Sequence, residues 1–165
     1  MGEHDDGAGM RRTGGRWTAV GRVSSPRSDP GETDHWGDVQ SVIEVDADRF
    51  GPGALQGLTD FSHLEVVCAF HLMTERDDYR TPGHPRGRTE LPAVGVFAER
   101  GPRHPNLLGV SVCQIVGVDG CRVTVRGLDA VDGAPVLDLR PVIRQFVPVA
   151  VRQPEWVDDL LAEYW

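Results

Sequence analysis

Two loops of this 165-residue chain concentrate side chains able to do chemistry. The first, RGPRHPN, places Arg100, Arg103, His104 and Asn106 in one short segment. An arginine fork engages a carboxylate or a phosphate through two parallel N–H donors. Pro102 and Pro105 stiffen the segment, which lowers the entropy lost when a ligand binds. A solvated basic loop accounts for the same residues on composition alone. The second loop sets Asp129 and Asp132 just ahead of Asp138. An aspartate that follows a strand can accept hydrogen bonds from ribose hydroxyls, and paired acids can hold a metal ion or a base. Ordinary turn chemistry accounts for Asp132, which precedes Gly133. Asp138 lies between Leu137 and Leu139, where an acid must face solvent, a partner or a pocket. His63, Glu65 and His71 fall on one face of a third, apolar stretch, where a structural histidine is the simpler reading. No Ser-His-Asp set with arguable geometry is present, and no glycine-rich phosphate loop of the P-loop or Rossmann type.

These loops need a scaffold, and the apolar pattern predicts strands. Val94–Ala98, Leu108–Val118, Cys121–Leu128 and Val136–Arg140 are rich in Val, Leu and Ile. Within the second run, Leu108, Val110, Val112, Val116 and Val118 share one face, with Gly109, Ser111, Cys113 and Gly117 on the other. Asp119-Gly120 between two such runs is a hairpin signal. Upstream, Trp17–Val23, Val39–Val45 and Phe61–Met73 also read as strands. In the last of these, His63, Glu65, Val67, Ala69 and His71 would line one face. A long polar loop with Arg76, Arg80, His84, Arg86 and Arg88 follows from Thr74 to Pro92. The end changes character. Pro154 and the acids Glu155, Asp158 and Asp159 open a short helix, on which Trp156, Leu160 and Tyr164 form an apolar stripe. The expectation is a mostly β domain: a barrel or sandwich of about seven strands over residues 17–150. A disordered Gly-rich tail (residues 1–16) precedes it and a helix (residues 151–165) follows it.

A formal net charge of −8 argues against general attraction to a polyanion. All 17 basic residues are arginine. No apolar run is long enough for a membrane helix, and residues 1–16 carry no apolar leader core. Cys68, Cys113 and Cys121 are odd in number and form no CxxC pair, which fits buried thiols in a reducing cytoplasm better than disulfides or zinc ligands.

Three segments in order, FSHLEVVCAFH, VGVFAERGPRHPNLLG and GLDAVDGAPVLDLRP, resemble the TrmO (TsaA, YaeB) family of S-adenosylmethionine-dependent tRNA methyltransferases. The resemblance runs from about Trp17 to Val147 and implies a single-sheet β-barrel that binds S-adenosylmethionine without a Rossmann domain and works as a homodimer. It puts cofactor contacts on His71, Leu72, Arg100, Val110 and Arg126-Gly127-Leu128-Asp129. Arg100 would clamp the methionine carboxylate, Asp129 would accept from ribose, and backbone near Leu128 would read the adenine. Arg103, His104, Asn106 and Asp138 are candidates for the acceptor side. If the acceptor is threonylcarbamoyl-adenosine beside a tRNA anticodon, Arg76, Arg80, Arg86, Arg88 and Arg103 would meet phosphates. A paralogue that alkylates a small molecule or another RNA, and a non-catalytic nucleotide-binding module, remain alternatives. The family's early PRQ loop has only Pro26-Arg27-Ser28 as counterpart; His104 stands where the family pattern has Arg, and Leu107 where it has Pro.

Overall fold

Alternation of apolar side chains at every second residue builds the six strands that carry this molecule. The computed structural model describes residues 11–12 and 15–165. A short antiparallel ribbon, β1 (Arg11–Arg12) with β2 (Gly15–Arg16), lies ahead of the main sheet. The rest of the expected disordered tail, residues 1–10 and 13–14, lies outside the described residues. The main sheet comprises β3 (Gly21–Ser24), β4 (Gln40–Val45), β5 (His63–Ala69), β6 (Leu108–Asp119), β7 (Arg122–Arg126) and β8 (Pro135–Pro141). They form a closed antiparallel barrel in the order β3-β4-β7-β6-β5-β8, with β3 paired to β8 to complete the circuit. Closure leaves the barrel sheet, among the described residues, without an unpaired edge strand. Val23, Ile43, Leu64, Val66, Val123 and Val125 fill the interior. Two short helices, α1 (Ala47–Phe50) and α2 (Glu155–Leu160), lie outside the barrel strands. Among the described residues no helix is long and apolar enough to cross a membrane.

Four sequence expectations are corrected. Val94–Ala98 is not a strand: Val94 makes one isolated bridge to Gly83, and Val96–Ala98 turns as a 3-10 helix. Val96 is buried and Phe97 exposed, so a turn produced the in–out signal that a strand would give. The first barrel strand begins at Gly21 rather than Trp17, which is exposed. The Phe61–Met73 run contributes only His63–Ala69 as strand. Past it, the His71 N–H donates to the Ala69 carbonyl at 2.9 Å, so the chain turns and His71 leaves the face it would have shared with His63 and Glu65. The final helix is six residues long, with Trp156 and Leu160 half-buried and Tyr164 beyond its end.

The alternation in β6 resolves in an unusual sense. Gly109, Ser111 and Cys113 face inward, while Val110, Val112 and Val116 face outward at 44%, 50% and 47% exposure. Val67 on β5 lies directly across from Val110, which extends the apolar stripe over two strands.

Candidate active site

The site begins where β7 ends. Gly127 adopts φ +81, a left-handed turn that side-chain-bearing residues adopt at a cost, and its N–H donates to the Val39 carbonyl at 3.0 Å. Leu128 then drops into the core, and the Ala130 N–H closes back on the Leu128 carbonyl at 3.0 Å. Asp129 is thus carried between two fully buried neighbours, with its carboxylate largely withdrawn from water. Burial pushes its pKa above the usual 3.8, against the pull of a Tyr164 hydrogen bond and the charges of Arg27, Arg86 and Arg100. The Tyr164 hydroxyl donates to Asp129 Oδ2. Burial and the adjacent Asp129 charge push the phenol's pKa up, so the proton stays on Tyr164 and the carboxylate accepts.

Two arginines brace the neighbouring loop. Ser25 N–H donates to Asp132 Oδ1 at 3.0 Å, and Asp132 N–H donates to the Arg27 carbonyl at 2.7 Å, which ties this loop to the one after Asp129. The Arg27 guanidinium donates to the Asp34 and His35 carbonyls at 2.6 and 2.8 Å and lies 4.5 Å from the centroid of the buried Trp36 ring. Arg86 pairs with Asp34 at 3.0 Å and donates to the Thr33 carbonyl at 3.2 Å. Although burial works the other way, Arg86 and Thr33 hold the Asp34 carboxyl below its ordinary value.

Arg100 donates from Nη2 to the Val110 carbonyl at 2.8 Å and is otherwise exposed, so most of its fork is open to a ligand. Val110 is itself exposed. His71 lies against the Asp132-Gly133 turn: a Cβ built on Gly133 would stand 3.5 Å from its Nε2. Burial first, and then the Arg22 charge, lower the His71 pKa, which favours the neutral ring. Leu72 is exposed beside it. Arg126 carries a buried Nε with no hydrogen-bond partner among the described residues, a group that calls for an explanation.

The acceptor-side candidates are arranged differently. Arg103 donates to the Thr74 and Glu75 carbonyls, both at 3.2 Å. His104 Nε2 bonds the Glu99 carbonyl at 3.0 Å and packs edge-on to Phe97. Asn106 takes φ +72 in the turn that opens β6. These three residues therefore shape their own loop. Asp138 pairs with Arg140 at 2.8 Å on β8. Asp132 lies in the turn its sequence context indicated, while its carboxylate reaches out of that turn to accept from the Ser25 N–H. Among the described residues, no group of three or more His, Cys, Asp or Glu could hold a metal ion.

Sequence reasoning put Tyr164 on an apolar helical stripe and Arg27 in the counterpart of the PRQ loop, and gave neither of them, nor Trp165, a role at the site. Pro26-Arg27 just after β3 was the available signal for the first. Tyr164 contacts Asp129 across 35 residues of sequence, and no local pattern announces such a contact.

What the cluster can hold follows from its donors and acceptors. A buried carboxylate suits a pair of hydroxyls, an exposed arginine fork suits a carboxylate, and a glycine turn lets a flat ring approach backbone. A nucleoside bearing an amino-acid tail has those three parts.

Residues 22–146 match the family model described as the tRNA-methyltransferase O N-terminal domain. A Methanothermobacter thermautotrophicus protein named a probable S-adenosyl-L-methionine-binding protein is 37% identical over 125 residues, covering 74% of this chain and 85% of that one. Mouse tRNA (adenine(37)-N6)-methyltransferase is 34% identical over 93 residues, which are 56% of this chain and 21% of the mouse protein. The chain therefore spans about a fifth of that relative's length. The crystal structure of TrmO from Pseudomonas aeruginosa superposes with a TM-score of 0.69 at 24% identity, covering 90% of this chain and 64% of that one; it shares the barrel fold.

Proposed function

Since the chain belongs to the tRNA-methyltransferase O N-terminal domain family, we propose that it is an S-adenosylmethionine-dependent methyltransferase acting on tRNA, at the exocyclic amine of threonylcarbamoyl-adenosine beside the anticodon. The observation that carries the cofactor part of this reading is Asp129, a buried carboxylate held by Tyr164 next to a glycine turn and within reach of the Arg100 charge. Asp129 would accept from the ribose hydroxyls, Arg100 would clamp the amino-acid carboxylate, and the Gly127-Leu128 backbone would meet the adenine. When bound, the cofactor supplies an activated methyl group on a sulfonium. The chain's part is then to align the acceptor amine in line with that methyl and to exclude water, so positioning outweighs a dedicated base. The neutral His71 ring beside the Asp132-Gly133 turn is suited to take up a proton released from the amine.

The acceptor rests on fewer residues. Arg76 pairs with Glu99 and Arg103 holds backbone carbonyls. Arg86 braces the loop beside Asp129, so its replacement disturbs the cofactor site as well. Arg80 and Arg88 remain suited to phosphate. Arg80 is exposed, and the Arg88–Glu90 pair is a surface pair of little worth that a phosphate can displace. Replacing both with alanine should flatten the salt dependence of tRNA binding by up to about two units, roughly one per lost phosphate contact. Filter binding across a salt series checks this. The engagement of so many arginines by the protein itself favours, as a second reading, a small acceptor. A flat salt dependence of turnover in the unaltered protein would select that reading.

The assembly is a homodimer formed on the β5–β6 face, and the exposed Val110, Val112 and Val116, with the half-buried Val67 across from Val110, support this. A contiguous exposed apolar stripe on a strand surface calls for a partner. Val112→Arg should convert the dimer to monomer. A monomer mass for the unaltered protein in light scattering at high concentration would count against the dimer. The buried, unpaired Cys68 and Cys113, whose thiols burial pushes up to about 12, suit a reducing cytoplasm.

Transfer of labelled methyl from S-adenosylmethionine to hypomodified tRNA is the direct test. Cofactor binding without transfer to any tRNA would remove the tRNA reading and leave the cofactor reading standing.

A further inference from the structure

The segment Glu163–Trp165 is held where the cofactor reading needs its walls. Its backbone is fixed at two points: His35 N–H donates to the Glu163 carbonyl at 2.7 Å, and Trp36 N–H donates to the Tyr164 carbonyl at 2.8 Å. The approach is close enough that a Cβ on Gly37 would stand 2.8 Å from the Trp165 carbonyl carbon, so only glycine fits there. Tyr164 turns inward and donates to Asp129. Trp165 packs edge-on to Tyr164, with ring centroids 4.7 Å apart, and its Cζ3 stands 3.5 Å from a Cβ built on Gly127. Yet Trp165 is 64% exposed. A large indole fixed at its backbone, propped by a second ring and set beside a glycine turn and a buried carboxylate is an unburied aromatic platform. Simple anchoring would bury the ring, and the fold gains little from leaving it open.

Resting on the cofactor reading above, we propose that Tyr164 and Trp165 form a wall of the adenosine site. Trp165 stacks its open ring on the purine, and Tyr164 is a positioning residue that directs the Asp129 carboxylate toward the ribose. A carboxylate oxygen has two lone-pair positions, so Asp129 can accept from Tyr164 and still offer its other oxygen and remaining lone pairs to hydroxyls. Aromatic stacking on a base is tolerant of detail but needs a fixed, flat, accessible face, which Trp165 provides. The same contacts explain why residues 33–37 are clamped by Arg27 and Arg86: that loop is the seat of the wall.

The test measures equilibrium binding of S-adenosylmethionine by calorimetry, with no turnover required. Trp165→Ala should weaken binding by roughly tenfold or more, while Trp165→Phe, which keeps a stacking face, should lose much less. Unchanged or tighter binding by Trp165→Ala would overturn the proposal; tighter binding would mean that the segment obstructs the site. Denaturant unfolding of each variant checks folding, which the exposure of Trp165 leaves nearly intact. A second measurement uses intrinsic fluorescence: cofactor should quench the unaltered protein, and that quenching should be largely lost in Trp165→Phe. Equal quenching in both overturns the stacking.

Tyr164→Phe carries the positioning claim through a pH profile. The groups acting on Asp129 are Tyr164, Arg27, Arg86 and Arg100; the Cys68 thiol, which burial and the Asp129 charge push up, stays neutral beside it. The Tyr164 hydrogen bond holds the carboxyl down, so its loss raises that pKa. The acid-side fall in cofactor affinity should therefore move to higher pH in Tyr164→Phe, and an unmoved profile overturns this role. If the unaltered protein binds no S-adenosylmethionine, both this inference and the cofactor reading fall; if it binds and Trp165→Ala binds equally well, only this inference does.

Discussion

Asp129→Asn is expected to make the free protein more stable at neutral pH while it loses most of its affinity for S-adenosylmethionine. Burial raises the carboxyl above 3.8, and the opposing effects of Tyr164, Arg27, Arg86 and Arg100 do not restore it. An acid with a folded pKa above its unfolded one binds its proton more tightly in the folded state. Stability is therefore lost as pH rises from 3.8 through the higher folded value, and the cost persists at neutral pH. Asparagine escapes that cost and still accepts from Tyr164. Below 3.8 the carboxyl is protonated in both states, so the stability advantage of the variant should vanish there. Binding moves the opposite way, because a charged acceptor to ribose contributes about 1.5–3 kcal/mol per hydrogen bond. Denaturant unfolding at neutral and acid pH, paired with calorimetric titration, checks both halves. A variant less stable at neutral pH would overturn the first half, and one with undiminished affinity would show that Asp129 serves the fold and not a ligand.

Arg100→Ala should weaken S-adenosylmethionine binding by about 1.5–3 kcal/mol, the scale of a charged hydrogen bond. Its fork spends one donor on the Val110 carbonyl and leaves the others in solvent, so little of the fold depends on it. Arg122→Ala is the matched control: Arg122 pairs with Glu44 at 3.0 Å on the barrel exterior, where both side chains are more than half exposed. Such a pair contributes about 0–1 kcal/mol to stability and nothing to a remote site. Equal small effects of the two substitutions would move the amino-acid end of the ligand to another cation. Arg27 would be the first to examine, since its charge also acts on Asp129.

These two residues stood out in sequence for different reasons. Arg100 lies in a proline-stiffened loop whose composition is visible in isolation, and Asp129 directly follows an alternating run. The β architecture was legible because period-two alternation is a local property: β4, β6 and the centre of β5 follow it directly. Alternation shows that two faces differ, but not which one faces the core. In β6 Val110, Val112 and Val116 point outward and Gly109, Ser111 and Cys113 inward, since a narrow closed barrel has limited room inside and the interior was already filled by Val66, Val123 and Val125.

What the sequence determined by itself was the strand-rich class, the turn at Asp132-Gly133, the absence of a dinucleotide fingerprint, and the family resemblance carried by three ordered segments. What only the tertiary structure decided was the company these residues keep. Tyr164 read as part of an apolar helical stripe, yet it lies past α2 and gives its hydroxyl to Asp129. Arg86 read as a loop cation for phosphate, yet it is spent on Asp34, 52 residues away in sequence. Such pairings arise when barrel closure brings distant loops to one place, and contacts of that sequence separation leave no periodic trace. Local alternation specifies strands, whereas burial and charge at Asp129 depend on every segment that packs around it.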